Sequence, residues 1–207
     1  VSALLDRAET LASELCDQTT RYTDFLVQFR EVNRVDGEVV PTGRFSKVYG
    51  YRWDRDRVNP NGTIGGWVTD PIDDASVLVL DAAPAHFDAL CDDVHDHLLV
   101  YGSRGSGKSE LGARWLLKRV AMAPKKALSL LVPKRKKARR FVEKKLLVYL
   151  PEDWLSGGGG NKGKKGYRKS QDEIALSFAH GCLVDCLSAK VADDARGDDI
   201  VGALIDE

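Results

Sequence analysis

Apolar residues recur at helical spacing from residue 3 to about 32, at Leu4, Leu5, Ala8, Leu11 and Leu15 and again at Phe25, Leu26 and Phe29. That spacing predicts one helix or two short ones. Between 44 and 74 the periodicity is lost, because Gly, Pro and Asn are interspersed with Tyr49, Tyr51, Trp53 and Trp67. Irregular structure or a small hairpin is expected there. Basic and aromatic residues interleave over 44–57, as stacking on single-stranded nucleic acid requires, but Asp54 and Asp56 dilute the charge and aromatic packing is the better reading. Residues 1–75 are therefore expected to form a helical and irregular extension.

From residue 76 the pattern becomes an alternation of short apolar runs and amphipathic stretches, which predicts an α/β domain with a mostly parallel sheet flanked by helices. Residues 97–101 read as a strand, 108–121 as a helix, and 127–132 as a strand stopped by Pro133. A long basic helix is expected over 134–149, with Phe141, Val142, Leu146 and Leu147 on its buried face and Pro151 beyond its end. The glycines 157–160 and the Gly/Lys run to Gly166 cannot pack a core and read as a flexible loop. Residues 173–178 and 182–187 alternate in polarity around Ala179-His180-Gly181, which predicts a hairpin. The run 200–205 has no polar side chain and leads into Asp206 and Glu207, so a buried central strand with acids at its carboxyl end is expected.

Composition narrows the class. With 207 residues and 43% hydrophobic side chains, the chain can bury a sizeable core without a disulfide or structural metal. The longest apolar runs fall far short of the roughly 20 residues that cross a bilayer, and Asp6 and Glu9 in the opening stretch do not fit a secretory signal. Cys16, Cys91, Cys182 and Cys186 are scattered, the pattern of free thiols in a reducing cytosol. Formal net charge is zero, from 31 basic and 31 acidic side chains, but the average hides a division. Residues 1–100 hold 9 basic and 18 acidic groups, and residues 101–207 hold 22 and 13. Within 125–169 there are 15 basic residues against Glu143, Glu152 and Asp153, an electrostatic footprint for phosphate backbones.

Gly102-Ser103-Arg104-Gly105-Ser106-Gly107-Lys108-Ser109 fits G-x-x-x-x-G-K-[ST], between a predicted strand and a predicted helix. Glycines allow successive backbone N–H groups to turn inward around a phosphate, and the following helix N-terminus adds its positive dipole. In this chemistry Lys108 holds the β and γ phosphates of ATP and the Ser109 hydroxyl ligates Mg²⁺.

Asp206 and Glu207 separate hydrolases from other users of such a loop. An Asp at the tip of the adjoining strand can reach Mg²⁺, and a neighbouring Glu can orient and deprotonate the attacking water. A small-molecule kinase needs no such Glu, since its nucleophile is the substrate. A GTPase is disfavoured because the base-reading N-K-x-D pattern is absent from the sequence.

With these motifs in this order, residues from about 80 to 207 resemble the ATPase domain of the large terminase subunit, the DNA-packaging motor of tailed bacteriophages. The resemblance rests further on Arg104 inside the loop, the strand-Pro-helix segment 128–140, the Leu-Pro-x-x-Trp element 150–154, and Ser188-Ala189-Lys190 followed by Arg196-Gly197 before the acidic strand. It implies a P-loop NTPase fold of the additional-strand, catalytic-glutamate (ASCE) type, with Lys108 and Ser109 binding MgATP, Asp206 holding the metal and Glu207 as catalytic carboxylate. Arg104 matches the loop arginine expected to contact the γ phosphate. Family members carry an upstream Pro-x-Gln for the adenine, and here Pro84-Ala85-His86 places His86 at that position. His95, His97 and His180 have no metal-ligand spacing.

The resemblance also implies a homo-oligomeric ring on the portal protein, a small terminase subunit as partner, double-stranded DNA as the translocated substrate, no membrane, and the host cytoplasm as location. Lys136 and Arg140 are candidates for DNA phosphate contacts. The coupling motif and nuclease domain of the family are not in these 207 residues, so the domain is expected to be the truncated N-terminal part of a longer protein. Another nucleic-acid-dependent ATPase, such as a helicase, and a non-catalytic ATP- or DNA-binding module are the alternatives.

Overall fold

The structure, a computed structural model, describes residues 25–68, 77–94, 99–151, 154–156, 166–169, 174–188 and 200–206. The helical pattern expected at 3–24, the Gly/Lys loop at 157–165 and the Arg196-Gly197 pair lie outside them.

Where a helix was expected to run on to about residue 32, the chain is the strand β1 (Phe25–Val35). Phe25, Leu26, Val27 and Phe29 are all fully buried. A three- or four-residue spacing of apolar residues is the same in both readings, and tertiary burial on both faces of the strand decides between them. β1 turns through Asp36-Gly37, both at positive φ (52° and 88°), into the antiparallel β2 (Glu38–Phe45). Asp-Gly is the dipeptide that a two-residue hairpin turn favours. β3 (Tyr49–Val58) pairs with the start of β1 and forms a hairpin with β4 (Ile64–Val68), so of the two structures expected for 44–74 the described part is the hairpin. β5 (Val77–Ala82) lies parallel to β1 on its other edge, from Leu26 opposite Val77 to Glu31 opposite Ala82.

Pro84 opens the first helix, α1 (Pro84–Cys91), with its missing N–H at a position where no partner is needed. Residues 99–101, expected as part of a strand, are not one. Leu99 and Tyr101 are 85% and 88% exposed, and the stretch pairs with no strand among the described residues, so its apolar character is not matched by burial. After α2 (Lys108–Ala121) comes a second sheet in the order β10-β6-β9-β8-β7. β10 (Ile200–Ile205), β6 (Ala127–Val132) and β9 (Leu183–Ser188) are parallel neighbours. β8 (Ile174–Ser177) joins β9 as the expected hairpin, and β7 (Tyr167–Lys169) adds antiparallel to β8.

Two expectations change here. Among the described residues β10 lies at the edge of its sheet, with Val201 and Ile205 50% and 71% exposed, where a central buried strand was expected. The basic helix is α3 (Arg135–Phe141) followed by a π turn at Val142–Leu146. Phe141, Val142, Leu146 and Leu147 are buried as expected.

One core joins both sheets. Phe25 of β1 stacks face to face on His180 in the β8–β9 turn, with ring centroids 3.7 Å apart, and tilts against Trp154 at 4.8 Å. His180 Nε2 donates to the Val120 carbonyl at 2.8 Å. Burial pushes the His180 imidazole down from 6.5 to about 4, a shift only partly opposed by that hydrogen bond. The folded state therefore holds a neutral ring that the unfolded chain protonates below its ordinary pKa. This contribution to stability is complete above about pH 6.5 and is lost as pH falls towards 4. Urea unfolding across that window is expected to show a fall of up to about 3 kcal/mol from this group, at about 1.4 kcal/mol per pKa unit. A folded His180→Phe chain is expected to show a flatter profile, and an unchanged profile would exclude this origin.

Candidate functional site

The loop 102–107 approaches α2 through two left-handed glycines, Gly105 at φ 86° and Gly107 at φ 81°. Other residues adopt this conformation only at a cost. Ser106 N–H donates to the Ser103 carbonyl at 3.3 Å, and Ser103, Arg104, Gly105 and Ser106 are exposed. The Lys108 ammonium lies at the mouth of the loop, donating to the Gly102 carbonyl at 2.7 Å and the Ser103 carbonyl at 2.9 Å.

Across 97 positions of sequence, Ser109 Oγ donates to Asp206 Oδ1 at 2.7 Å. Backbone packing makes this possible. A Cβ at Gly112 would lie 3.0 Å from Leu204 of β10, and one at Gly202 would lie 3.0 Å from Leu128 of β6, so small residues let α2 and the two strands close up. Asp206 N–H continues the parallel ladder by donating to the Leu131 carbonyl at 3.0 Å, which fixes the strand end opposite the first turn of α2. Glu207 lies outside the described residues.

His86, from α1, sits directly against the loop. A Cβ built on Gly107 would come within 2.7 Å of His86 Cε1. α1 is held by Lys118 of α2, which is only 4% exposed. Its ammonium donates to the Leu90 carbonyl at 2.6 Å and to Asp93 at 2.9 Å, and lies 4.1 Å from the centroid of the Tyr49 ring on β3. Burial by itself would raise the Asp93 carboxyl, but hydrogen bonds from Lys47 and Lys118 hold it below its usual range. The first sheet, α1 and the loop are thus linked through one buried cation with its partners supplied.

The site also contains groups that the sequence reading missed. Glu110, next to Ser109, accepts from Lys145, from Tyr149 at 3.0 Å and from Arg114 at 3.1 Å. Burial would raise its carboxyl, and the bonds from Lys145 and Tyr149 bring it below the ordinary value. The cluster ties α2 to the π turn. Between them opens a cleft of about 430 Å³, with Ser109 and Asp206 on one wall and Lys137, Arg140, Lys144 and Lys145 beside Phe141 on the other. The basic segment expected as a single DNA footprint therefore divides. Lys134 and Lys136 do not line the cleft, although Lys137, Arg140 and Lys144 are as exposed as they are, while Arg139 pairs with Glu143 at 3.1 Å. The spacing 137, 140, 144 was the available signal, because residues three and four apart share a helix face.

Among the described residues no three His, Cys, Asp or Glu side chains gather as a metal cage. A hydroxyl and a carboxylate in contact are nonetheless oxygen donors suited to a hard cation such as Mg²⁺, which takes one or two protein ligands and completes its shell with phosphate oxygens and water.

A model of the family described as terminase large subunit, T4likevirus-type, N-terminal matches residues 99–207, just over half of the chain. No curated protein and no solved structure matches it.

Gly107→Ala is expected to lower stability by about 1–2 kcal/mol from the left-handed backbone alone, with an added steric part from His86. In urea unfolding, His86→Ala should relieve the steric part only, so the two changes combine less than additively. Strict additivity would show that the two residues do not press on each other.

Proposed function

The chain belongs to the family of phage terminase large subunits, as its N-terminal region, and from that membership we propose that it carries the ATP-hydrolysing site of a motor that drives double-stranded DNA into a prohead. The observation that carries this reading is the 2.7 Å bond between Ser109 and Asp206. It joins the last residue of the phosphate loop to the acid at a strand end, as nucleotide hydrolysis with a bound cation requires. Three parallel neighbours, β10, β6 and β9, with α2 packed on β10, support a P-loop domain of the ASCE type over residues 99–207, while β5 pairs with β1 in the first sheet.

In this reading the loop N–H groups from Gly102 to Ser109 enclose the phosphates, and Lys108 exchanges its two carbonyl partners for phosphate oxygens. Ser109 and Asp206 hold Mg²⁺, which when bound neutralises charge on the phosphate oxygens. Glu207 orients water and takes its proton, and Arg104 reaches the γ phosphate from the exposed part of the loop. His86, against Gly107, is the residue that would recognise the adenine by its place in the family's Pro-x-Gln position. Family membership sets aside the helicase reading. It extends the proposal to a ring of identical subunits acting with the portal protein and small terminase subunit in the host cytoplasm. No described helix is long and apolar enough to cross a membrane.

ATP turnover by the chain, measured with and without duplex DNA, is the direct test. Lys108→Ala and Glu207→Gln are each expected to reduce kcat by about 100-fold or more, the scale on which general-base catalysis contributes. Unchanged turnover in both would remove these residues from the hydrolytic site, and no turnover by the unmodified chain would leave a non-catalytic module. For DNA, reversing the outward-facing charges in Lys134→Glu/Lys136→Glu should weaken binding and reduce the slope of log affinity against log salt by about 0.9 for each phosphate no longer neutralised. An unaltered slope would remove these two residues from the DNA surface.

A further inference from the structure

The cations in the cleft beside Ser109 and Asp206 are not explained by a DNA surface. Lys145 is engaged by Glu110, and the Asp206 carboxylate already accepts from Ser109. Lys137, Arg140 and Lys144 form no ion pair with a carboxylate among the described residues. They occupy helical positions three, four and seven apart, where like charges repel. A duplex presents its phosphates along a convex surface, one per about 3.4 Å of each strand, whereas Lys137, Arg140 and Lys144, exposed like Lys134 and Lys136, all border the pocket that Ser109 and Asp206 line. Cations gathered around a hydroxyl–carboxylate pair in a cleft of about 430 Å³ suit one compact oxyanion.

Ordinary helical spacing already places Lys137, Arg140 and Lys144 on one face, and the π turn brings Lys145, held by Glu110, to the same cleft. In a regular helix Lys145 would lie about 80° around from Lys137. The π turn, closed by Leu147 N–H donating to the Val142 carbonyl at 2.9 Å, inserts one extra residue and rotates Lys145 back towards the cleft, while Val142 and Leu146 stay buried. Such turns concentrate at functional sites.

We propose that Lys137, Arg140 and Lys144 form a terminal-phosphate subsite, by which the protein distinguishes a nucleoside triphosphate from a diphosphate. The proposal rests on the phosphate-loop reading: Ser109 and the loop hold the inner phosphates, and the α3 cations meet the outermost one from the opposite wall. Charge-assisted hydrogen bonds of this kind have the strength to shift affinity by about tenfold or more.

Calorimetric titration of the whole chain with ADP and with a non-hydrolysable ATP analogue tests it. The unmodified chain is expected to bind the analogue at least about tenfold more tightly than ADP. In Arg140→Gln/Lys144→Gln the ratio should collapse towards one, with the ADP Kd unchanged, and Lys137→Gln should reduce it partly. A ratio that survives in the double variant overturns the subsite, as does an equal loss of both nucleotides. Loss of DNA affinity at an intact ratio overturns it too, assigning these cations to the duplex. If the unmodified chain binds neither nucleotide, or Lys108→Ala leaves both affinities as they were, the phosphate-loop reading itself fails and the subsite goes with it.

Discussion

The close approach of α2 to β10 governs the rest of this structure. Gly112 on the helix lets Leu204 of β10 come to 3.0 Å from where a Cβ would stand, closer than ordinary van der Waals contact, and Gly202 does the same for Leu128 of the neighbouring β6. Only at that separation can Ser109 reach Asp206. A pairing between residues 97 apart cannot form from local propensity, so it depends on α2, β6 and β10 all being in place. The same packing aligns Glu110 with Lys145 and Tyr149, and so sets the width of the cleft.

The N-terminal sheet is bound into this arrangement. Phe25 inserts between Trp154 and His180, and Lys118 ties α2 to α1 and to Tyr49. A buried ammonium is tolerated because two carbonyls, a carboxylate and an aromatic face replace its water. Since α1 also carries His86 against Gly107, the first sheet positions one side of the phosphate loop from a distance, through the packing of α1 on α2.

Charge is partitioned on a finer scale than composition reveals. A net of zero resolves into an acidic half and a basic half, and within the exposed basic helix Lys137, Arg140 and Lys144 line the cleft while Lys134 and Lys136 do not. Helical spacing makes the second division, because residues 137, 140 and 144 share one face.

The glycine-rich loop at 102–107, the helix after it, the β6 strand, the β8–β9 hairpin and the acidic strand end were legible from residues 102–206 alone. Each is specified by local chemistry: left-handed glycines, a polar–apolar period, a proline stop. The Ser109–Asp206 pair was legible too, since its two members are the groups a hard cation selects. β1 was misread because Phe25, Leu26 and Phe29 fit a helical period and a two-sided strand equally well. Asp36-Gly37 was the local signal that favoured the strand. The apolar run at 99–101 and the exposure of β10 were not legible, because neither a ladder partner nor a covering layer is encoded at the position itself. The sequence determined the order of loop, helix and acidic strand end and the family to which the chain belongs. Only the tertiary structure decided which side chains meet, because the packing of glycines on leucines and one widened helical turn set distances that no spacing along the chain contains.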